Sequence, residues 1–103
     1  MSNTNNSQNI IDSLETVEHP AIATTLLDLG MLREIAVTSD LKATLTIVMP
    51  FPSIPDNVRD YMVKSLTAAA KSAGGELTKV GMAVMSEAER KNFLTKEQQN
   101  WRG

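Results

Sequence analysis

The 103-residue chain contains no cysteine. That removes any disulfide framework, any thiolate nucleophile and any cysteine metal ligand. Histidine occurs once, at His19, so multi-histidine metal sites are excluded and a Ser–His–Asp arrangement would have only this base. Positive charge is not in excess: ten Lys and Arg against twelve Asp and Glu give a formal charge of −2. The nearest basic pair, Arg90–Lys91, sits among Glu87, Glu89 and Glu97, a solvated mixed-charge pattern that excludes a nucleic-acid partner. No apolar run approaches the roughly 20 residues of a membrane span, so no membrane partner is expected. No basic segment followed by an apolar one opens the chain, which with the missing cysteine predicts a cytoplasmic setting. Gly74–Gly75 runs into Glu76 where a phosphate loop needs Gly-Lys-Ser/Thr, and Asp28, Asp40, Asp56 and Asp60 miss calcium-loop spacing. No metal or other cofactor is expected. What remains, 42% hydrophobic and 21% charged residues, suits one domain with a single core.

Residues 1–9 are read as a disordered polar tail ending in a cap at Ser7, and residues 10–103 as the single domain. Ile10, Leu14 and Val17 mark one face of a first helix, which must stop by His19 because Pro20 follows. The connector PAIATTLLDLG (20–30) should bury Leu26, Leu27 and Leu29. Two alternating runs, 31–38 and 41–49, flank Ser39–Asp40 and predict a hairpin, with Ala43, Leu45, Ile47 and Met49 inward. Val58, Met62, Leu66, Ala69 and Ala73 follow helical spacing, broadened by Tyr61 and Ala70, and Gly74–Gly75 ends that helix. Residues 77–84 place Val80, Met82 and Val84 on one strand face. Met31, Met49, Met62 and Met82 read as core filler. Ser86 and Glu89 form a capping box opening a helix that carries Phe93, Leu94 and Trp101. The fold class is therefore α+β: a two-layer sandwich in the order α-β-β-α-β-α, its three-stranded mixed sheet backed by helices on one face.

Three of the four prolines crowd VMPFPSIP (48–55). Ser53 reads as the N-cap of the next helix and Asp56 as a residue of its first turn. The sharper reading is an anion or partner site assisted by Arg59, against which Asp56 already brings a carboxylate. Phe51, flanked by prolines, is either tucked under the sheet or presented to a partner, and burial is the general tendency. His19 reads as a polar helix terminus bonding the last carbonyls of the first helix. No nucleophile accompanies it, so an enzyme using His19 with Ser53 or a threonine finds no support.

In order, IIDSLETVEHPAI, LLDLGML, LTIVMPFPSIPDNVRDYMVKSL and MSEAERKNFL resemble the small iron–sulfur cluster assembly domain family over about residues 10–94. Its members are SufT- and PaaD-like proteins, their eukaryotic cytosolic adaptor relatives, and the N-terminal domain of Mrp-type cluster carrier ATPases. The most specific piece is LLDLGML, with Leu29 and Gly30, similar to the family's I-V-x-L-G-[LM]-[VI]. The resemblance implies an α+β fold and a helper role in maturing iron–sulfur proteins. This chain departs from the pattern at His19-Pro20-Ala21, where the family has Asp-Pro-Glu. It departs again in the loop Thr-x-Thr-x-x-Gly-Cys-Pro, whose positions fall on Thr46, Val48, Phe51, Pro52 and Ser53. The Pro-Pro-Trp motif that often follows the third strand is also missing.

VMPFPSIP thus resembles the family's cysteine loop without its cysteine. The expected consequence is an apolar docking pocket lined by Phe51, Pro52, Val48 and Ala21, and Ile54 and Arg59 are further candidate partner-binding residues. The expected function is a non-enzymatic adaptor or scaffold, its partners being iron–sulfur assembly or client proteins. The alternative is an accessory subunit of a metabolic enzyme complex, a PaaD-like role. A homodimer through the sheet edge or the terminal helix is compatible with the sequence.

Overall fold

A computed structural model describes residues 6–101; the expected tail at 1–5 lies outside the described residues. The element order is α1 (Asn6–Glu15), β1 (Leu32–Val37), β2 (Lys42–Met49), α2 (Asp56–Ser72), β3 (Glu76–Val84) and α3 (Glu87–Asn100). This is the α-β-β-α-β-α order read from the periodicities. α1 begins at Asn6, so Ser7 lies within the helix and does not cap it, and residues 6–9 belong to the helix rather than to a tail. It also ends at Glu15, before Val17.

β2 is the centre of a three-stranded mixed sheet of order β1-β2-β3. It pairs antiparallel with β1, matching Leu32 to Ile47 and Val37 to Ala43. It pairs parallel with β3, matching Leu45 to Val80 and Met49 to Val84. A parallel neighbour requires a crossover, and α2 supplies it. In the β1–β2 turn the Leu41 amide donates to the Thr38 carbonyl at 2.9 Å with Leu41 at φ 63°. The turn thus takes Leu41 in the left-handed position that closes a three-residue hairpin loop, one residue more than Ser39–Asp40 alone.

Ala43, Leu45, Ile47 and Met49 are buried, as alternation predicts, and Ile10, Leu14, Met62, Leu66 and Ala70 bury the helix faces. Truncating a fully buried Met62 or Leu66 to alanine should cost about 2–5 kcal/mol. α1 packs on α2 and β1, and α2 packs on β3. α3 is tied instead to the connector and to β1. The Ala23 amide donates to the Asn100 carbonyl at 2.7 Å, Lys96 pairs with Asp28 at 2.7 Å and Arg33 with Glu89 at 3.3 Å. The Lys96 ammonium, then the Thr24 hydroxyl, hold the Asp28 carboxyl below its ordinary range. In the connector Ile22, Leu26 and Leu29 are buried, whereas Leu27 is exposed. Gly30, at φ 76°, makes the turn into β1 that a side chain would strain.

Candidate functional site

Met49 ends β2 and Asp56 begins α2, so the chain turns between layers over residues 50–55. Pro55 occupies the N-cap at φ −55°, ψ 136°, with no side-chain cap. The expected Ser53 cap is therefore not formed. Ser53 is exposed and stands two residues short of the N-cap, and Pro55 disfavours helical geometry at Ile54. Asp56 opens the helix and receives Arg59 at 3.0 Å, with Asp60 3.9 Å from the same guanidinium. The positive end of the helix dipole thus carries its own carboxylate, which disfavours an external anion.

The elbow is held from outside. Arg90, in the first turn of α3, donates from Nε to the Pro50 carbonyl at 2.9 Å and sets its guanidinium 5.5 Å from the Phe51 ring centroid. The Met85 amide donates to the Met49 carbonyl at 2.8 Å, closing the end of the β2–β3 pair. Phe51 is consequently not tucked into the core: it is 43% exposed, its ring held by a cation–π contact rather than by burial.

Beside it lies a shallow cleft of about 220 Å³ whose walls include Phe51, Pro52, Ile54 and Arg59 on one side and Met82 and Val84 on the other. Met82 and Val84 are 48% and 47% exposed. The expectation that Met82 fills the core is therefore corrected. β3 is an edge strand, and its inward-parity residues near the C-terminal end protrude where α2 leaves the sheet uncovered.

Four of the expected site residues, Phe51, Pro52, Ile54 and Arg59, are thus brought together, and the others are not. Val48 is fully buried in the core, and Ala21 is no part of this cleft. The apolar wall comes from β3, not from those two. His19 and Pro20 line a separate surface hollow with Tyr61 and Ser65, without Ser53. The His19 Nδ1 accepts from the Ala21 amide at 3.0 Å, so the ring bonds forward into the connector as well as standing after α1. Thr46 faces the open side of the sheet, where its hydroxyl donates to Glu34 Oε1 at 2.8 Å. Glu34 stands at a β1 bulge with φ 58°, and Lys79 and Gly81 share that hollow. Arg90, Met82 and Val84 were missed as site residues. Arg90 reads as one charge of a mixed helix, and strand alternation says nothing about which strand lies at an edge.

With no cysteine in the chain, and no group of three or more His, Asp or Glu able to hold a metal among the described residues, the donor set does not fit an iron–sulfur cluster. No helix among the described residues is long and apolar enough to cross a membrane.

Fold and cleft together describe a small α+β domain with a shallow, partly apolar cleft between the β2–α2 elbow and the end of β3. The sequence matches the family described as iron–sulfur cluster assembly protein over residues 7–82, and the chain belongs to that family. A crystal structure of a domain of unknown function, DUF59, from Bacillus anthracis shares the fold, with a TM-score of 0.54 and 16% identity over 88% of this chain and 91% of that one. No curated protein matches the sequence significantly.

Proposed function

We propose that this protein is a non-enzymatic adaptor in iron–sulfur protein maturation, acting by protein–protein contact in the cytoplasm. The observation that carries the reading is the cleft itself. Half-exposed Phe51, Met82 and Val84 surround a groove whose loop is stiffened by proline and pinned by Arg90, in a family member with no thiolate. A preorganised apolar groove gains affinity because little ordering entropy remains to be lost on binding. Large apolar side chains gathered at a surface suit docking better than chemistry.

The test is affinity capture of the tagged chain from its own cytoplasm, with Phe51→Ala/Ile54→Asp as the control bait and circular dichroism to verify its fold. Recovery of iron–sulfur assembly or client proteins by wild type alone is the expected result. Recovery of one enzyme's subunits would replace the adaptor with the accessory-subunit role. Equal recovery by both baits would remove the cleft from the function.

A further inference from the structure

The two edges of the sheet are guarded unequally. β1 carries Arg33 and Glu34 at a bulge, with Glu34 at φ 58°, and charge and bulging are the usual devices that stop an edge from recruiting another strand. β3 has a register shift and two charges in its first half, with Glu76 and Lys79 flanking the shift. Its second half, Val80-Gly81-Met82-Ala83-Val84, has no charge, no proline and no bulge. Among the described residues no backbone hydrogen bond outside the sheet involves residues 77–84. α3, which follows, turns away from this edge, binding Arg33 of β1 and Asp28 of the connector.

We propose that this half-strand pairs with the same half-strand of a second copy, antiparallel about a two-fold axis at Met82. Two-fold pairing needs a self-complementary sequence, and this segment has it. With Met82 opposite its own copy, Val80 falls opposite Val84 and Gly81 opposite Ala83. On the helix-side face the six residues are Val, Met and Val from each copy, and they cover the Met82 and Val84 surface that is half exposed in the single chain. On the other face the pairs are small, so the second sheet meets no bulky obstacle. Apolar cross-strand pairs of this kind stabilise antiparallel ribbons. The contact is short and belongs to the weak end of specific interfaces, so the pair is reversible and concentration-dependent. The occupant is fixed by this symmetry and does not depend on the adaptor reading. Because Met82 and Val84 also form one wall of the cleft, self-pairing and partner docking exclude each other there.

Sedimentation velocity over a concentration series tests the pairing. Wild type should move from monomer to dimer mass as concentration rises, and Met82→Lys should weaken association at least about tenfold. Leu94→Lys, at an exposed site on α3, should match wild type, as should Phe51→Ala/Ile54→Asp, which separates loss of dimer from loss of partner capture. Amide exchange at 80–84 in the wild type should slow with concentration, a readout independent of how well Met82→Lys folds. A wild type that stays monomeric throughout the series, with exchange at 80–84 unchanged, would overturn the proposal. So would a dimer that survives Met82→Lys but disperses in Leu94→Lys.

Discussion

α2 ends in two different ways. At its C-terminus every local rule is obeyed. Gly74, at φ 92°, donates to the Lys71 carbonyl at 3.0 Å, and Gly75 donates to the Ala70 carbonyl at 2.9 Å. That pair of bonds is the Schellman arrangement. At its N-terminus no side chain caps the helix, the N-cap is a proline, and an aromatic ring stands half in water. The first end is specified by its own residues and lies close to Ile10 of α1 at Gly75. The loop that leads into the second is held by Arg90, 40 positions beyond Pro50. A terminus that its own residues close is there to stop a helix; at the other end the loop before the helix is held at Pro50 by Arg90 and shows apolar surface.

Of the helix ends, the satisfied one should show the largest effect. A Cβ on Gly75 would collide with the Ile10 side chain and approach the Leu41 carbonyl oxygen to 2.8 Å, and that oxygen already accepts from the Glu76 amide at 3.0 Å. The side chain can give way but the backbone cannot do so cheaply, so Gly75→Ala should cost about 2–3 kcal/mol in denaturant unfolding. Gly74→Ala meets open space but must hold a left-handed φ, and should cost about 1 kcal/mol. If Gly75→Ala proves the milder of the two, packing is not what fixes this end.

α3 offers a third helix terminus and an intermediate effect. Its Ser86–Glu89 capping box forms as the sequence predicts: the Glu89 amide donates to Ser86 Oγ at 3.2 Å and the Ser86 amide donates to Glu89 Oε1 at 2.8 Å. Ser86→Ala should therefore cost about 1 kcal/mol, whereas Ser53→Ala at the start of α2 should leave the melting temperature unchanged. The Ser86 backbone amide, then its hydroxyl, hold the Glu89 carboxyl below its ordinary value of 4.5. A carboxylate with a lowered folded-state value adds stability that is complete above that ordinary value and is lost as pH falls through the lowered one. The melting-temperature gap between wild type and Glu89→Gln should accordingly be present at neutral pH and close in acid below 4.5.

What could be read in the sequence and what could not divides along the same line. The alternation of Ala43, Leu45, Ile47 and Met49, the stripe of Met62 and Leu66, Gly74–Gly75 and the capping box are local patterns, and each is found in the structure. The misread residues share a different property. Ser53 fails as a cap because Pro55 takes the position, and Val48 is buried although strand parity puts it on the face opposite Ile47. Phe51 stays out because Arg90 holds it, and Met82 protrudes because β3 is an edge strand. Each outcome depends on which element becomes a neighbour, and periodicity within one segment carries no such information. The cleft was legible by half: its elbow wall is contiguous in sequence, while the β3 wall arrives through a crossover.

The smallest effect on stability should be the most informative about the unsatisfied end. Arg90 gives that loop one charge-assisted hydrogen bond and one cation–π contact, both at a partly exposed site and each worth roughly 0.5–1.5 kcal/mol at most. Some of this is recovered when water solvates the freed Pro50 carbonyl, so Arg90→Gln should lower overall stability by less than about 1 kcal/mol. Its effect on the elbow should be larger than its effect on the fold, because no side chain caps α2 to hold the loop in its place. Proteolytic nicking within 50–55 and exchange at the first amides of α2 should both accelerate in Arg90→Gln, while amides in the last turn of α2 keep wild-type protection. Equal acceleration at both ends would mean that Arg90 supports the domain as a whole, and the contrast between the two termini would lose its physical basis.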